Sequence, residues 1–212
     1  MSGKHKENNI EAAAERKLWA TLMRAWNSGH VACRLEIASD YTSKYPNKFW
    51  GWIALADVLV KMAHYKAAHR ALSRTERLAT QDNRIRQHIC INWGHLYNES
   101  CDLNRAVKWY RRALECKVST SALIFLGAVL AKQGKFSEAK RCHRRAIHVA
   151  TDLAKDSPDE AYFNLGLILR AERRYAKALE CFEQAIKIDP KQKEYGIARE
   201  DILEVLKLAK NG

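Results

Sequence analysis

His88, Asn92 and His95 fall at helical spacing, one and two turns apart on one face. Histidines so placed could ligate a metal or carry a proton-linked switch. Residues 88 and 95 lie two turns apart, too far for one ordinary zinc ion, so polar lining of a surface is the expectation. Cys142 and His143 are adjacent and diverge on a helix, whereas a nucleophile and its base must converge. The six cysteines, Cys33, Cys90, Cys101, Cys116, Cys142 and Cys181, form no CxxC pair and read as reduced, partly buried thiols of a cytoplasmic protein. There is no Gly-rich phosphate loop, HExxH or GxSxG, and Glu36 and Asp40 sit at ordinary helix salt-bridge spacing. The sequence therefore points away from catalysis, and no metal or cofactor is expected.

Charge is the other chemistry on offer. The net charge of +13 is concentrated in residues 61–150, which hold 18 Lys and Arg against 6 Asp and Glu. These cations recur at regular intervals: Arg70, Arg74 and Arg77; then Arg105, Lys108, Arg111 and Arg112; then Lys140, Arg141, Arg144 and Arg145. Aligned in space they would make a basic stripe able to attract RNA, DNA, an acidic protein or an anionic membrane surface. The plainer reading is a solvated face whose long side chains cover apolar helix surface. No helix-turn-helix or zinc-finger pattern accompanies them, so sequence-specific DNA reading has no support.

The elements that must position these residues are helical. Glycine and proline number only 9 and 3 in 212 residues, too few for the turns of a sheet protein. A composition 47% hydrophobic and 29% charged is that of a globular chain, no apolar run approaches a membrane span, and residues 1–10 read as a polar tail with no signal-peptide core. Internal repetition is plain. Trp93-Gly94, Leu126-Gly127 and Leu165-Gly166 each pair a large apolar residue with glycine. Twelve residues on comes alanine (Ala106, Ala139, Ala178), and seven beyond that alanine again (Ala113, Ala146, Ala185). Small residues let two antiparallel helices cross closely, and Trp93, Tyr97, Tyr110, Leu126, Leu130, Phe136, Tyr162, Leu165 and Phe182 fill the space around the crossings. Helix pairs this short must stack on neighbours to bury their apolar faces. The longer interval from Gly127 to Gly166 implies an insertion of about five residues near 152–157.

The run Tyr162-Phe-Asn-Leu-Gly166, followed by Tyr175, Ala178, Phe182, Ala185 and Pro190, closely resembles the tetratricopeptide repeat, with Leu169 replacing its second aromatic. Segments 87–119 and 120–153 resemble it well, although Val118 and Thr151 stand where proline is usual. Segment 49–81 is a weaker match, with Ala56 for the glycine and Thr75 for the last alanine. Segment 11–47, carrying Trp19, Leu22, Trp26 and Gly29 but Arg34 in place of alanine, reads as a degenerate repeat or N-terminal cap. Asp159 is placed to cap the first helix of the last repeat. Residues 193–212 read as a solvating helix whose Ile202, Leu203, Val205, Leu206 and Leu208 would cover that repeat. The expected fold is all-α, a right-handed α-α superhelix, or solenoid, of tetratricopeptide-like helix pairs with a C-terminal capping helix; other helix-pair solenoids are the alternative.

The resemblance implies a concave groove, lined by first helices, that binds a peptide or partner protein. By helical spacing its lining is Trp50, Ile53 and Asp57; His88, Ile91, Asn92 and His95; Ile124; and Phe163, Asn164, Leu167 and Arg170. Some members of the family grip a terminal carboxylate with lysine and asparagine. Here Ile53, Ile91, Ile124 and Phe163 occupy the places where such a lysine could stand, which suits an apolar or amphipathic ligand better. Alternatively these isoleucines pack between neighbouring first helices. The leading functional expectation is a protein-interaction scaffold. The others are an anion-binding module acting through Arg70, Arg74, Lys108, Arg111, Arg112, Lys140, Arg141, Arg144 and Arg145, and a self-associating array such as a homodimer.

Overall fold

A computed structural model describes residues 2–27, 30–78, 81–153 and 157–211, with side chains for 11–26, 30–78, 81–151 and 157–209. Eleven helices and no strand occur among the described residues. They are α1 (Ser2–Asn27), α2 (Val31–Lys44), α3 (Phe49–Lys61), α4 (Tyr65–Leu78), α5 (Asn83–Glu99), α6 (Leu103–Cys116), α7 (Thr120–Lys132), α8 (Phe136–Leu153), α9 (Asp159–Ala171), α10 (Tyr175–Ile188) and α11 (Lys193–Asn211). Two compact units divide the chain, 1–102 and 103–212.

Residues 2–10, expected as a tail, are part of α1. Two serviceable N-caps had no place in the sequence reading: Asp82 accepts from the Arg84 N–H at 2.7 Å and Ser119 from the Ala122 N–H at 3.3 Å. The Asp82 cap starts α5 at Asn83, ahead of Gln87. Asp159 does not cap α9 from outside but begins it, and its carboxylate accepts from the Tyr195 hydroxyl at 2.7 Å. Thr151 does not end α8. Its hydroxyl donates to the Ile147 carbonyl at 2.7 Å and the helix runs on to Leu153. Gly29, residues 79–80 and most of the expected insertion, 154–156, lie outside the described residues.

Four connections use one backbone joint. After α3, α5, α7 and α9, the residues Ala63, Cys101, Gly134 and Arg173 take φ of 58°, 63°, 75° and 58°. In each, the next N–H returns to a carbonyl five residues back, as His64 to Leu59 at 2.8 Å and Arg174 to Leu169 at 2.9 Å. This is the Schellman closure, in which a left-handed residue after the helix satisfies its last carbonyls. Only Gly134 adopts that backbone without steric cost.

In the first unit, Leu22, Ala38 and Ala54 form a buried cluster flanked by Trp19, Met23, Trp26, Ile37 and Leu55, which ties α1, α2 and α3 together. Arg34 is buried there with its guanidinium 5.4 Å from the Trp26 ring centre, and this cation–π contact accounts for arginine at an alanine position. Thr75 is likewise buried, its hydroxyl satisfied by the Ala71 carbonyl at 3.0 Å.

In the second unit, α7 pairs with α8 and α9 with α10 through glycine-to-ring contacts. A methyl group on Gly166 would come within 2.5 Å of the Phe182 ring, and one on Gly127 within 2.7 Å of the His143 ring. Only glycine admits either approach. α11 completes the unit by burying Ala198 and Ile202 against Leu165, Leu169, Ala178 and Phe182. Val205 and Leu208 do not cover this core as expected: both are exposed, because the buried side of α11 is the stripe through Tyr195, Ala198 and Ile202. Phe136, at the start of α8, is also exposed rather than packed at a crossing.

Candidate interaction surfaces

Seven of the twelve groove candidates lie on α3 and α5, which pack on each other within the first unit. Trp50 is 39% exposed, and its ring meets His88 edge-on at 5.6 Å between centres. One to two turns along α3, Asp57 pairs with Lys61 at 2.9 Å, and the Lys61 ammonium lies 5.2 Å from the Trp26 ring centre. His95 on α5 is beside this pair. Burial pushes its pKa down, opposed by the charges of Asp57 and Glu99. Ile53 and Asn92 are half-buried between these ends, and the Asn92 amide donates to the His88 carbonyl at 2.8 Å. The face thus has an aromatic end and a charged end, and His88 and His95 belong to opposite ends of it, not to one ligand set.

The remaining candidates need correction. Ile91 and Ile124 are buried, Ile124 within a cluster of Leu123, Ala146 and Ala161. They are packing residues, not groove lining, because a first helix of a stacked pair has neighbours on several sides. Phe163 stacks on Phe182 at 5.7 Å and on Tyr195 at 4.8 Å, so α11 covers it. Leu167 packs on the same core, Arg170 reaches Asp201 on α11 at 3.5 Å, and Asn164 is half-buried.

The basic candidates separate by unit. On α4, Arg70 is exposed and Arg74 half-buried. Arg70 rims a cleft of about 430 Å³ with Tyr65, His69, Leu96 and Tyr97, a feature with no signal in the sequence beyond its aromatic residues. On α6 and α8, Lys108, Arg111, Arg112, Arg141, Arg144 and Arg145 are all exposed. Arg112 lies over the Trp109 ring, Arg111 pairs with Glu138 at 3.1 Å, and Lys140 is neutralised by Glu172. A second cleft, about 350 Å³, opens between α6 and α8 with Arg111, Arg141 and Arg145 at its rim and leucines of α7 on its floor.

His143 is fully buried, and neither ring nitrogen has a hydrogen-bond partner. Burial alone pushes its pKa down to about 4. No group of three or more His, Cys, Asp or Glu among the described residues could hold a metal ion. No described helix is long and apolar enough to cross a membrane.

Residues 118–191 match the family model for the tetratricopeptide repeat. That stretch is built of tetratricopeptide repeats. Solved structures extend the fold beyond the matched repeats. The tetratricopeptide protein TTC0263 of Thermus thermophilus superposes with a TM-score of 0.73 at 15% identity, covering 89% of this chain and 98% of its own. BtubC from P. vanneervenii gives 0.66 at 18% identity over 88% of this chain and 84% of that one. YrrB, described as a tetratricopeptide protein with an unusual peptide-binding site, gives 0.55 at 20% identity over 93% and 96%. No curated protein sequence matches the chain significantly. The fold class is the one expected, an all-α solenoid of tetratricopeptide helix pairs.

Proposed function

We propose that this chain is a non-catalytic scaffold that binds a peptide or partner protein on the α3–α5 face. One observation carries the reading: an exposed Trp50 braced by His88 at one end of two packed first helices, with the Asp57–Lys61 pair at the other. Tryptophan anchors are over-represented among the residues that dominate binding energy, and a fixed ion pair gives direction to the ligand. Ile53 stands where a carboxylate-gripping lysine would be needed, which favours an apolar or amphipathic segment over a free C-terminus. All six cysteines are free, in keeping with a cytoplasmic setting. That tetratricopeptide proteins bind peptides, as YrrB's description states of itself, supports the class of ligand.

The test is quantitative capture of partners by the parent protein and by Trp50→Ala and His88→Ala, with melting temperature as the fold control. A partner that binds the parent and loses at least about tenfold in affinity with Trp50→Ala, about 1.4 kcal/mol, supports the site. Partners retained equally by both variants would place the function elsewhere.

A further inference from the structure

Two surfaces of the second unit have opposite chemistry. One is the cleft between α6 and α8. Its floor is Leu114, Leu123, Leu126 and Leu130 and its rim is Arg111, Arg141 and Arg145. Arg111 is shared with Glu138, but no ion pair engages Arg141 or Arg145 among the described residues. Their two guanidinium groups, one turn apart on α8, present fork-shaped donors able to take carboxylates in pairs.

The other surface is the outer side of α11. Ile197 and Leu208 are 62% and 67% exposed, and Val205 is also exposed. Positions 197, 201, 204, 205 and 208 follow helical spacing and so share one side. The acids Glu200, Asp201 and Glu204 lie along it, all exposed; Glu200 pairs with Arg199 and Asp201 with Arg170 at their own surface, and Lys207 lies beside them. An apolar stripe laced with acids is what a leucine-floored, arginine-rimmed cleft would accept. α11 is fastened to its own unit through Ile202 in the core and the Tyr195–Asp159 hydrogen bond, and it packs on α10. Its outer side is therefore offered to another molecule.

We infer that the chain self-associates head to tail. The outer side of α11 from one copy docks on the α6–α8 cleft of the next, with Glu200 and Glu204 opposite Arg141 and Arg145, and Ile197 and Leu208 over the leucine floor. The two surfaces differ, so the contact is heterologous and each added copy presents a fresh cleft or a fresh α11. The net charge of +13 opposes crowding of copies, which makes the local charge match a condition of assembly.

The test is sedimentation velocity of the full chain across a concentration series. The parent is expected to form species that grow with concentration past the dimer. Arg141→Glu/Arg145→Glu and Glu200→Lys/Glu204→Lys, all at exposed positions, are each expected to stay monomeric with unchanged circular dichroism and melting. Mixing the two is expected to restore species that grow with concentration, because native acids then meet native arginines at one joint and the reversed charges meet each other at the next. Trp50→Ala is expected to leave assembly unchanged, which separates this contact from the α3–α5 face. A parent that stays monomeric at every concentration, a closed dimer that does not grow, or a mixture that forms no complex overturns the proposal. If either charge reversal disturbs the fold, Arg141→Ala/Arg145→Ala and Glu200→Gln/Glu204→Gln replace the pair; each is expected to stay monomeric, and their mixture to form a complex of one chain of each through the native joint alone.

Discussion

The helix pairs α7–α8 and α9–α10 are built to one plan and differ at its centre. Each brings a glycine under a ring, flanks the ring with buried alanines, and closes with the same left-handed joint. In the later pair the ring is Phe182, an apolar plug whose neighbours Leu165, Leu169 and Ile202 complete a dry core. In the earlier pair it is His143, of similar shape and equally buried, with two nitrogens that find no partner. The shape of the ring is what the crossing requires; its chemistry is free to vary at a cost in stability. A buried neutral imidazole also makes the ring at the centre of only one of the two pairs titratable.

The comparison breaks most severely at the plugs. Phe182→Ala is expected to lose about 3–5 kcal/mol in chemical denaturation, since it opens a cavity over Gly166 and beside Ile202. A loss under about 1 kcal/mol would mean that α11 collapses into the space and that the pairing does not depend on the plug.

Acid titration comes next. His143 has a folded pKa of about 4 against about 6.5 unfolded, so the unfolded chain takes up the proton first. Its contribution is complete above pH 6.5, falls as the pH drops from 6.5 to 4, and is flat below. The total is about 3 kcal/mol from one group. His143→Phe is expected to remove that fall and to raise stability at neutral pH by about 1–2 kcal/mol, because it replaces an unsatisfied polar ring with an apolar one. Equal pH slopes in the parent and in His143→Phe would show that the imidazole is hydrated or hydrogen-bonded in solution.

Close approach is a finer probe. Gly166→Ala is expected to cost about 1–3 kcal/mol, because its methyl meets a rigid ring at 2.5 Å, and Gly127→Ala should cost a similar amount against His143. If the double change Gly127→Ala with His143→Ala restores what the single change lost, the clash is local to that ring. Smallest of all, Arg173→Gly is expected to add about 0.5–1 kcal/mol by relieving a left-handed side-chain residue, while Gly134→Ala at the matching joint should lose about the same. Thermal melts resolve both.

What the sequence disclosed follows from these contacts. Small residues at fixed spacing are direct signals of helix crossings, so the repeats were legible from Gly127, Ala139, Gly166 and Ala178. That the arginines of α6 and α8 are exposed was legible too, since exposed charge on a helix face needs only helical spacing. Groove lining was not. Ile91 and Trp50 both sit on the first-helix faces read as groove, yet one is buried and the other 39% exposed, because packing by adjacent helices decides which part of a face stays open. Phe163 failed for a related reason: α11 lies over it. The joints were hidden because three of the four carry alanine, cysteine or arginine where glycine would have announced a left-handed turn.

That shared joint has a bearing on how such a chain grows. Its geometry is held by main-chain hydrogen bonds that accept any side chain at about 1 kcal/mol, so a duplicated helix pair inherits a working hinge whatever its sequence becomes. Divergence can then act on the outer faces alone, recolouring one pair with arginine and leaving the next acidic, while the main-chain closure of the joint stays the same.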